Sequence, residues 1–236
     1  MNFHPFIFNW KGQYQKTLET EKQLSKVFGR VTVINSDEEN THPHWDNVGD
    51  SYWFTNQFMR ALNLFEGDVF FHVQADATYT DWEGLKAQAE EDFEKYRWGV
   101  YAPNVDFTEW GPRRTNLVYP KLPGNRSIVA CPDCTCWMIH KDIIDEFQLM
   151  NLDMSDQNLG FGIDMLICSI SHRQSRKVIR NYNHTVDHPR GTGYNVEQAH
   201  VELRSLWSKL PQHHKDTVNL IYSRPQQLGL FYVESG

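Results

Sequence analysis

Short apolar runs alternate with amphipathic stretches over the first 105 residues of the chain. Apolar runs at residues 4–9, 31–34, 69–73 and 98–103 predict buried strands, because they are short and rich in β-branched and aromatic residues. Stretches at 14–28, 51–64 and 82–97 carry apolar residues at helical spacing, and Ser51 is placed to cap the second of them. This β-α-β order predicts an α/β fold in which neighbouring strands run parallel with right-handed crossovers.

The second half of the chain has a less regular pattern. Residues 106–127 hold three prolines and two glycines, and such a long connection is typical of a functional or mobile loop. A strand is expected within 128–139, a helix at 141–150 and an apolar helix at 163–170. Two short strands are expected at 177–180 and 184–187, followed by a helix at 196–210 and another near 215–222.

Composition and charge narrow the class of protein. With 236 residues, 40% of them hydrophobic, the chain is long enough for a substantial core. A formal net charge of −7 is unlike that of a general nucleic-acid binder, and the basic stripe at 172–180 is better explained as a solvated helix end. The first residues lack a basic signal-peptide region, and no apolar run approaches ~20 residues. We therefore expect a soluble, cytoplasmic protein without membrane insertion.

The cysteines allow two interpretations. Cys131, Cys134 and Cys136 lie close together with His140 nearby, and thiolates and imidazole are good zinc ligands. A structural zinc site would make the protein a zinc-stapled, non-enzymatic binding module. However, a second cysteine pair is missing, so we favour reduced, buried thiols.

Three polar residues are candidates for chemistry. Asp76 follows the predicted strand 69–73, where open α/β sheets bind ligands, although it could equally cap the following turn. Asp164 opens an apolar helix, where it would stay ionised as a general base or act as a helix cap. His188 lies in a loop rich in glycine, either as a metal ligand or hydrogen-bonded to Asp187.

The order of these residues resembles that of the GT-A fold glycosyltransferases, especially the large inverting family. The resemblance covers residues 5 to about 192. It implies a GT-A-like, Rossmann-like, mostly parallel central sheet flanked by helices, with a smaller acceptor-side subregion. It also implies one domain over 1–236, with a nucleotide-sugar-binding half (1–105), an acceptor-side and catalytic half (106–195) and a helical extension (196–236).

Individual motifs match this family with two departures. Residues 35–37, Asn-Ser-Asp, match the strand end that holds the nucleobase, so Asn35 and Asp37 are implied nucleotide ligands. Asp76 matches the last acid of the family's Asp-x-Asp motif, but Gln74 stands where the first acid is usual. Residues 161–164, Phe-Gly-Ile-Asp, match the segment that carries the catalytic base, with one carboxylate instead of two.

The resemblance implies a metal-dependent glycosyltransferase that inverts the sugar, with Asp164 as general base. Asp76 and His188 would hold Mn²⁺ or Mg²⁺, and Arg190 would contact the diphosphate unless it belongs to a plain turn. The donor would be a UDP-sugar. The acceptor would be a soluble hydroxyl group on a glycan, a protein or a modified nucleobase in DNA.

A sugar nucleotidyltransferase on the same kind of fold is the main alternative enzyme. That class usually has a Gly-rich, basic loop after the first strand, to hold a triphosphate. Residues 9–13, Asn-Trp-Lys-Gly-Gln, contain only one lysine and one glycine. The sequence therefore favours the glycosyltransferase.

Overall fold

The computed structural model describes residues 1–106, 117–189 and 194–223, with the backbone alone at 117–121, 221 and 222. The strands in these ranges are β1 (Phe3–Asn9), β2 (Thr32–Asn35), β3 (Asp46–Asn47), β4 (Val69–Gln74), β5 (Trp98–Val105), β6 (Leu117–Leu122), β7 (Arg126–Val129), β8 (Cys136–His140) and β9 (Lys177–Val186). The helices are α1 (Tyr14–Phe28), α2 (Phe54–Leu64), α3 (Trp82–Tyr96), α4 (Lys141–Leu149), α5 (Ile163–Arg173), α6 (Val196–Lys209) and α7 (Gln212–Ser223).

The described strands form one nine-stranded sheet in the order β3-β2-β1-β4-β8-β5-β9-β7-β6. The β1–β2, β1–β4, β2–β3 and β5–β9 pairs are parallel. The β4–β8, β5–β8, β6–β7 and β7–β9 pairs are antiparallel. Only β7 and β8 therefore run against the common direction of the described strands. The predicted α/β fold with a central sheet flanked by helices is confirmed; seven of the nine described strands share one direction, while half of the neighbouring pairs are antiparallel.

The centre of the sheet is buried on both faces, as the apolar runs predicted. All seven residues of β1 are buried, and in β4 only Gln74 is partly exposed. Phe6 of β1 stacks on Phe70 of β4 with ring centroids 4.9 Å apart. Because β1, β2 and β4 are parallel and in register, the polar residues that end them lie at the same edge of the sheet.

An antiparallel strand, β8, lies between β4 and β5. Its register pairs Cys136 with Val73 and His140 with Val69, so β8 begins where β4 ends. The segment before β8, residues 130–135, therefore lies at the carboxyl end of β4, where the Gln74 N–H donates to the Thr135 carbonyl at 2.9 Å. We call this segment the Cys131 loop.

Strand β6 and the start of β7 lie within residues 106–127, which the sequence predicted as a loop, because the two strands pair with each other and β7 pairs with β9. Two further predicted boundaries are wrong for identifiable reasons. Helix α2 begins at Phe54 with Trp53 at the N-cap position, and Ser51 lies outside the helix. The Thr55 N–H donates to the Asn158 carbonyl at 3.0 Å, so a tertiary contact replaces a side-chain cap. The two short late strands are one continuous strand, β9, because the polar Asn181 at the predicted break is buried and donates to the Tyr101 hydroxyl at 2.6 Å.

The basic stripe at 172–180 is not a continuous exposed surface. His172 is fully buried on α5, Arg176 pairs with Asp142, and Arg180 donates to the Asn104 side chain. In the part of the chain described, no helix has the length and apolar character needed to cross a membrane.

Candidate active site

The carboxyl ends of β1, β2 and β4 meet at one edge of the sheet. The registers pair Asn9 with Asn35 and Phe8 with Gln74, so all three strands end at the same level. The ends of β2 and β4 are two strand spacings apart, roughly 10 Å. This edge therefore brings together the residues predicted from both strand ends.

A short β-bridge carries His188 to this edge. Thr78 and Asp187 exchange both backbone hydrogen bonds, at 2.9 and 3.0 Å, and so join the segment after β4 to the segment after β9. The His188 N–H also donates to the Asp106 carboxylate at 2.8 Å. These contacts place His188 Nε2 3.7 Å from Asp76 Oδ1. Two residues 112 positions apart in the sequence thus lie side by side.

The Asp76–His188 pair fits a divalent cation. Asp76 Oδ1 is buried and has no hydrogen bond from any described residue. Two atoms each ~2.1 Å from one cation lie between about 3.0 Å (cis) and about 4.2 Å (trans) apart, which includes the observed 3.7 Å. A group of three or more His, Cys, Asp or Glu side chains able to hold a metal does not occur among the described residues. Any cation held here would take its other ligands from substrate and water.

The electrostatic surroundings of Asp76 include two residues that the sequence did not single out. Burial raises the pKa of the Asp76 carboxyl, and the nearby Asp133 carboxylate raises it further, while His188 and Lys16 oppose the shift. Lys16 lies in α1, directly after β1, and Asp133 lies in the Cys131 loop. Lys16 could have been found as the first basic residue of the helix after β1. Asp133 had no such signal, because its place depends on the β4–β8 pairing.

Asp164 lies in the first turn of α5, and its position depends on two glycines. Gly160 and Gly162 have φ values of +74° and +96°, a conformation that L side chains rarely adopt. A Cβ on Gly160 would lie 2.4 Å from the Phe54 ring, and one on Gly162 would lie 2.9 Å from Leu203. The turn is therefore packed against α2 and α6, and it holds the Asp164 side chain in a buried position, 7% exposed.

The Cys131 loop connects Asp164 to Asp76. Cys131 Sγ lies 3.5 Å from Asp164 Oδ2. Asp133, two residues further along, is the carboxylate that acts on Asp76. The Cα atoms of Cys131 and Asp133 are at most about 7.6 Å apart. The same loop therefore contacts Asp164 through Cys131 and influences Asp76 through the charge of Asp133.

Asn35 and Asp37 lie at the same edge, but their side chains are used within the protein. Asn35 donates to the Asn47 side chain at 2.8 Å and accepts from Asn9 at 2.6 Å. Asp37 accepts from the backbone N–H groups of Glu39 and Asn40 and from the Asn40 side chain. These bonds shape the loop after β2, and Asp37 Oδ2, which among the described residues accepts only the bond from the Asn40 side chain, keeps capacity for a further donor.

The two remaining predicted ligands of the donor are Gln74 and Arg190. Gln74 ends β4, two residues before Asp76, and is partly exposed at the edge. Arg190 lies outside the described residues, as do Gly191 and Gly193.

The zinc interpretation does not fit the position of His140. Cys136 and His140 are at opposite ends of β8, four residues and roughly 13 Å apart along the strand. Zinc ligand atoms lie about 2.0–2.3 Å from the ion, so these two side chains would be too widely separated to share one. His140 instead stacks on Phe93, with centroids 5.0 Å apart, and accepts a hydrogen bond from the Asp142 N–H at the start of α4. None of the four cysteines, all of which lie in the described ranges, forms a disulfide bond.

The fold described above is that of the GT-A nucleotide-diphospho-sugar transferases. It is similar to S. aureus TarS, solved as residues 1–349 in complex with UDP-GlcNAc, with a TM-score of 0.60 and 12% identity over 98% of this chain and 75% of that one. It is also similar to GalNAc-T7, solved with UDP, GalNAc and Mn²⁺, with a TM-score of 0.63 and 12% identity over 98% of this chain and 54% of that one.

A nucleotidyltransferase shares the architecture. A putative glucose-1-phosphate thymidylyltransferase from Bacillus anthracis aligns with a TM-score of 0.52 and 9% identity, over 90% of this chain and 99% of that one. No protein-family model and no curated protein sequence matches the chain. At these identities the comparisons establish the fold alone.

Proposed function

We propose that this protein is a metal-dependent glycosyltransferase that moves a sugar from a UDP-sugar to a hydroxyl acceptor with inversion. The observation that supports the proposal is the Asp76–His188 pair at the carboxyl edge of the sheet, beside the Cys131 loop whose first cysteine contacts Asp164. The two similar glycosyltransferases were solved with UDP-GlcNAc and with UDP and Mn²⁺, which supports a UDP-sugar donor and a divalent cation.

The roles of the residues follow from their chemistry. Asp76 and His188 would hold the cation, which neutralises the charge that develops on the departing diphosphate. Lys16 adds a positive charge near the same carboxylate. Asp164 would accept the proton of the acceptor hydroxyl while the oxygen attacks the anomeric carbon, and this single displacement inverts that carbon. Asn35, Asp37, Gln74 and Arg190 stay predicted nucleotide-side ligands.

The first test is ligand binding to the whole chain. A thermal-shift screen would use UDP, UDP-GlcNAc, UDP-GalNAc and UDP-glucose, each with and without Mn²⁺. We expect the melting temperature to rise only when a nucleotide and Mn²⁺ are both present. His188→Ala and Asp76→Asn should abolish the Mn²⁺-dependent part of the shift. His200→Ala, which removes an exposed histidine on α6, is the matched control and should behave as wild type.

The second test is turnover. UDP release from the donor that binds should fall by about 10²- to 10⁴-fold in Asp164→Asn, because a general base contributes that much. The variant should still bind UDP and Mn²⁺. An NMR assignment of the released sugar's anomeric configuration tests inversion. Wild-type turnover retained in Asp76→Ala and Asp164→Ala would contradict the proposal.

The nucleotidyltransferase alternative rests on the likeness to the thymidylyltransferase fold. It predicts pyrophosphate release from a nucleoside triphosphate and a sugar 1-phosphate, and no UDP release from a UDP-sugar. The acceptor class, the cytoplasmic location and the division of the chain into 1–105, 106–195 and 196–236 stay predictions.

A further inference from the structure

The Cys131 loop is anchored at both ends by buried histidines. His172 Nε2 lies 2.9 Å from the Ala130 carbonyl oxygen, and His72 Nδ1 lies 3.0 Å from the Cys134 carbonyl oxygen. A carbonyl only accepts, so each of these ring nitrogens carries the proton. Asp133 also accepts from the Thr135 N–H and hydroxyl within the loop, at 2.9 and 2.6 Å.

This anchoring fixes the thiol of Cys131 against the carboxylate of Asp164. Sγ lies 3.5 Å from Asp164 Oδ2, and Cys131 is 1% exposed. The thiol S–H can donate to Asp164 Oδ2 or to the Pro132 carbonyl, each 3.5 Å from Sγ. The thiol lies in the connection between β7 and β8, and the carboxylate lies on α5. The contact therefore links the Asp164 side chain to a segment outside its own helix.

We infer that Cys131 is a positioning residue for the proton-accepting carboxylate of Asp164. The thiol restricts rotation of the carboxylate and so holds it in the orientation from which it takes the acceptor's proton. This inference rests on the proposed function. The thiol itself takes no part in bond making, and Cys168, one helical turn beyond Asp164 on α5, supplies a buried thiol for comparison.

The experiment compares Cys131→Ala, Cys131→Ser and Cys168→Ala with wild type, by UDP release with Mn²⁺ and by thermal unfolding. We expect kcat to fall by about tenfold in Cys131→Ala with KM for the donor unchanged, less than the ~10²-fold that a misplacement of 1 Å can cause. Cys131→Ser keeps a donor and should recover most of the lost kcat. Cys168→Ala should keep the wild-type kcat.

The outcomes separate this inference from the proposed function. If Asp164→Asn is slow but Cys131→Ala turns over as fast as wild type, or if serine is as slow as alanine, the positioning role is overturned and the glycosyltransferase proposal stands. If wild type releases no UDP from any donor, both fall. Should Cys131→Ala not fold, Cys131→Val fills the thiol's volume without a donor and takes its place in the comparison with serine.

Discussion

Asp76, Asp92 and Asp164, none of them exposed, show that the surroundings of an aspartate decide its task. Asp92 accepts from Arg126 and from the Tyr101 hydroxyl, and it serves the fold. Asp76 has a buried oxygen with no hydrogen bond from the described residues and an imidazole 3.7 Å away, which suits a cation. Asp164, in the first turn of α5, contacts the thiol of Cys131. The partners that make these three environments different come from distant segments of the chain.

Buried histidines give the protein a dependence of stability on pH. Burial lowers the pKa of His172 to about 4 and that of His72 to about 3, from about 6.5. The unfolded chain therefore binds more protons than the native one below pH 6.5. The stabilisation from keeping these histidines neutral is fully present above this pH. The free energy of unfolding falls as the pH drops from 6.5 toward 4, by about 2 kcal/mol for each histidine at pH 5.

Substitutions can isolate this effect. His72→Asn can keep a donor to the Cys134 carbonyl but cannot titrate, so it should reduce the loss of unfolding free energy between pH 7 and pH 5 in urea titrations. His200→Asn, at an exposed position, should leave that loss unchanged. An equal loss in His72→Asn and wild type would show that His72 is not among the groups responsible.

At the scale of elements, the turn into α5 decides where the proposed base lies. Helix α5 is apolar and buried along most of its length, so its existence was predictable from the sequence. Its starting point depends on Gly160 and Gly162, whose backbone conformations and close neighbours allow no side chain. The aromatic ring of Phe54, at the start of α2, fills the space beside Gly160.

We predict that Gly160→Ala is much more destabilising than Gly12→Ala. Both glycines have positive φ, +74° and +89°, so both substitutions cost about 1–2 kcal/mol in backbone strain. Only at residue 160 does the new methyl meet a neighbour, 2.4 Å from Phe54, which adds roughly 1–3 kcal/mol. Chemical denaturation measures both, and equal losses would show that packing against α2 does not fix this turn.

Across the whole molecule, a buried polar network joins α3 to three strands. Arg126 of β7 donates to Asp92 of α3 at 2.6 Å, and the Tyr101 hydroxyl of β5 donates to the same carboxylate oxygen at 2.9 Å. Asn181 of β9 donates to Tyr101 at 2.6 Å. Burial raises the pKa of Asp92, and the bonds from Tyr101 and Arg126 counter this shift. The network thereby fastens β7 and β9 to the helix that follows the Asp76 segment.

Arg126→Met should lower the free energy of unfolding by about 3–5 kcal/mol, because it leaves the Asp92 charge buried without its ion-pair partner. The double variant Asp92→Leu/Arg126→Met should lose less than the sum of the two single variants. Lys95→Met, which breaks the exposed Glu91–Lys95 pair on the same helix, should have a much smaller effect. Additive losses in the double variant would contradict coupling between Asp92 and Arg126.

The sequence by itself determined most of the elements and the three candidate residues. Apolar runs and helical periodicity depend on neighbouring positions, so α1 and β4 were predicted within a residue of their observed bounds. Asp76 and Asp164 could be chosen because the end of a strand and the start of a helix are local features. Ser51 failed as a cap because a distant carbonyl satisfied the helix start instead.

Only the tertiary structure decided which of these residues meet. The insertion of β8 between β4 and β5 brought Cys131 to Asp164 and Asp133 near Asp76, and it separated His140 from the cysteines. The bridge between Thr78 and Asp187 set His188 beside Asp76. The hydrogen bonds that Asn35 and Asp37 make within the protein were likewise not predictable from the sequence. These features arise from pairings between segments tens of residues apart, and no local pattern in the chain encodes which segments become neighbours.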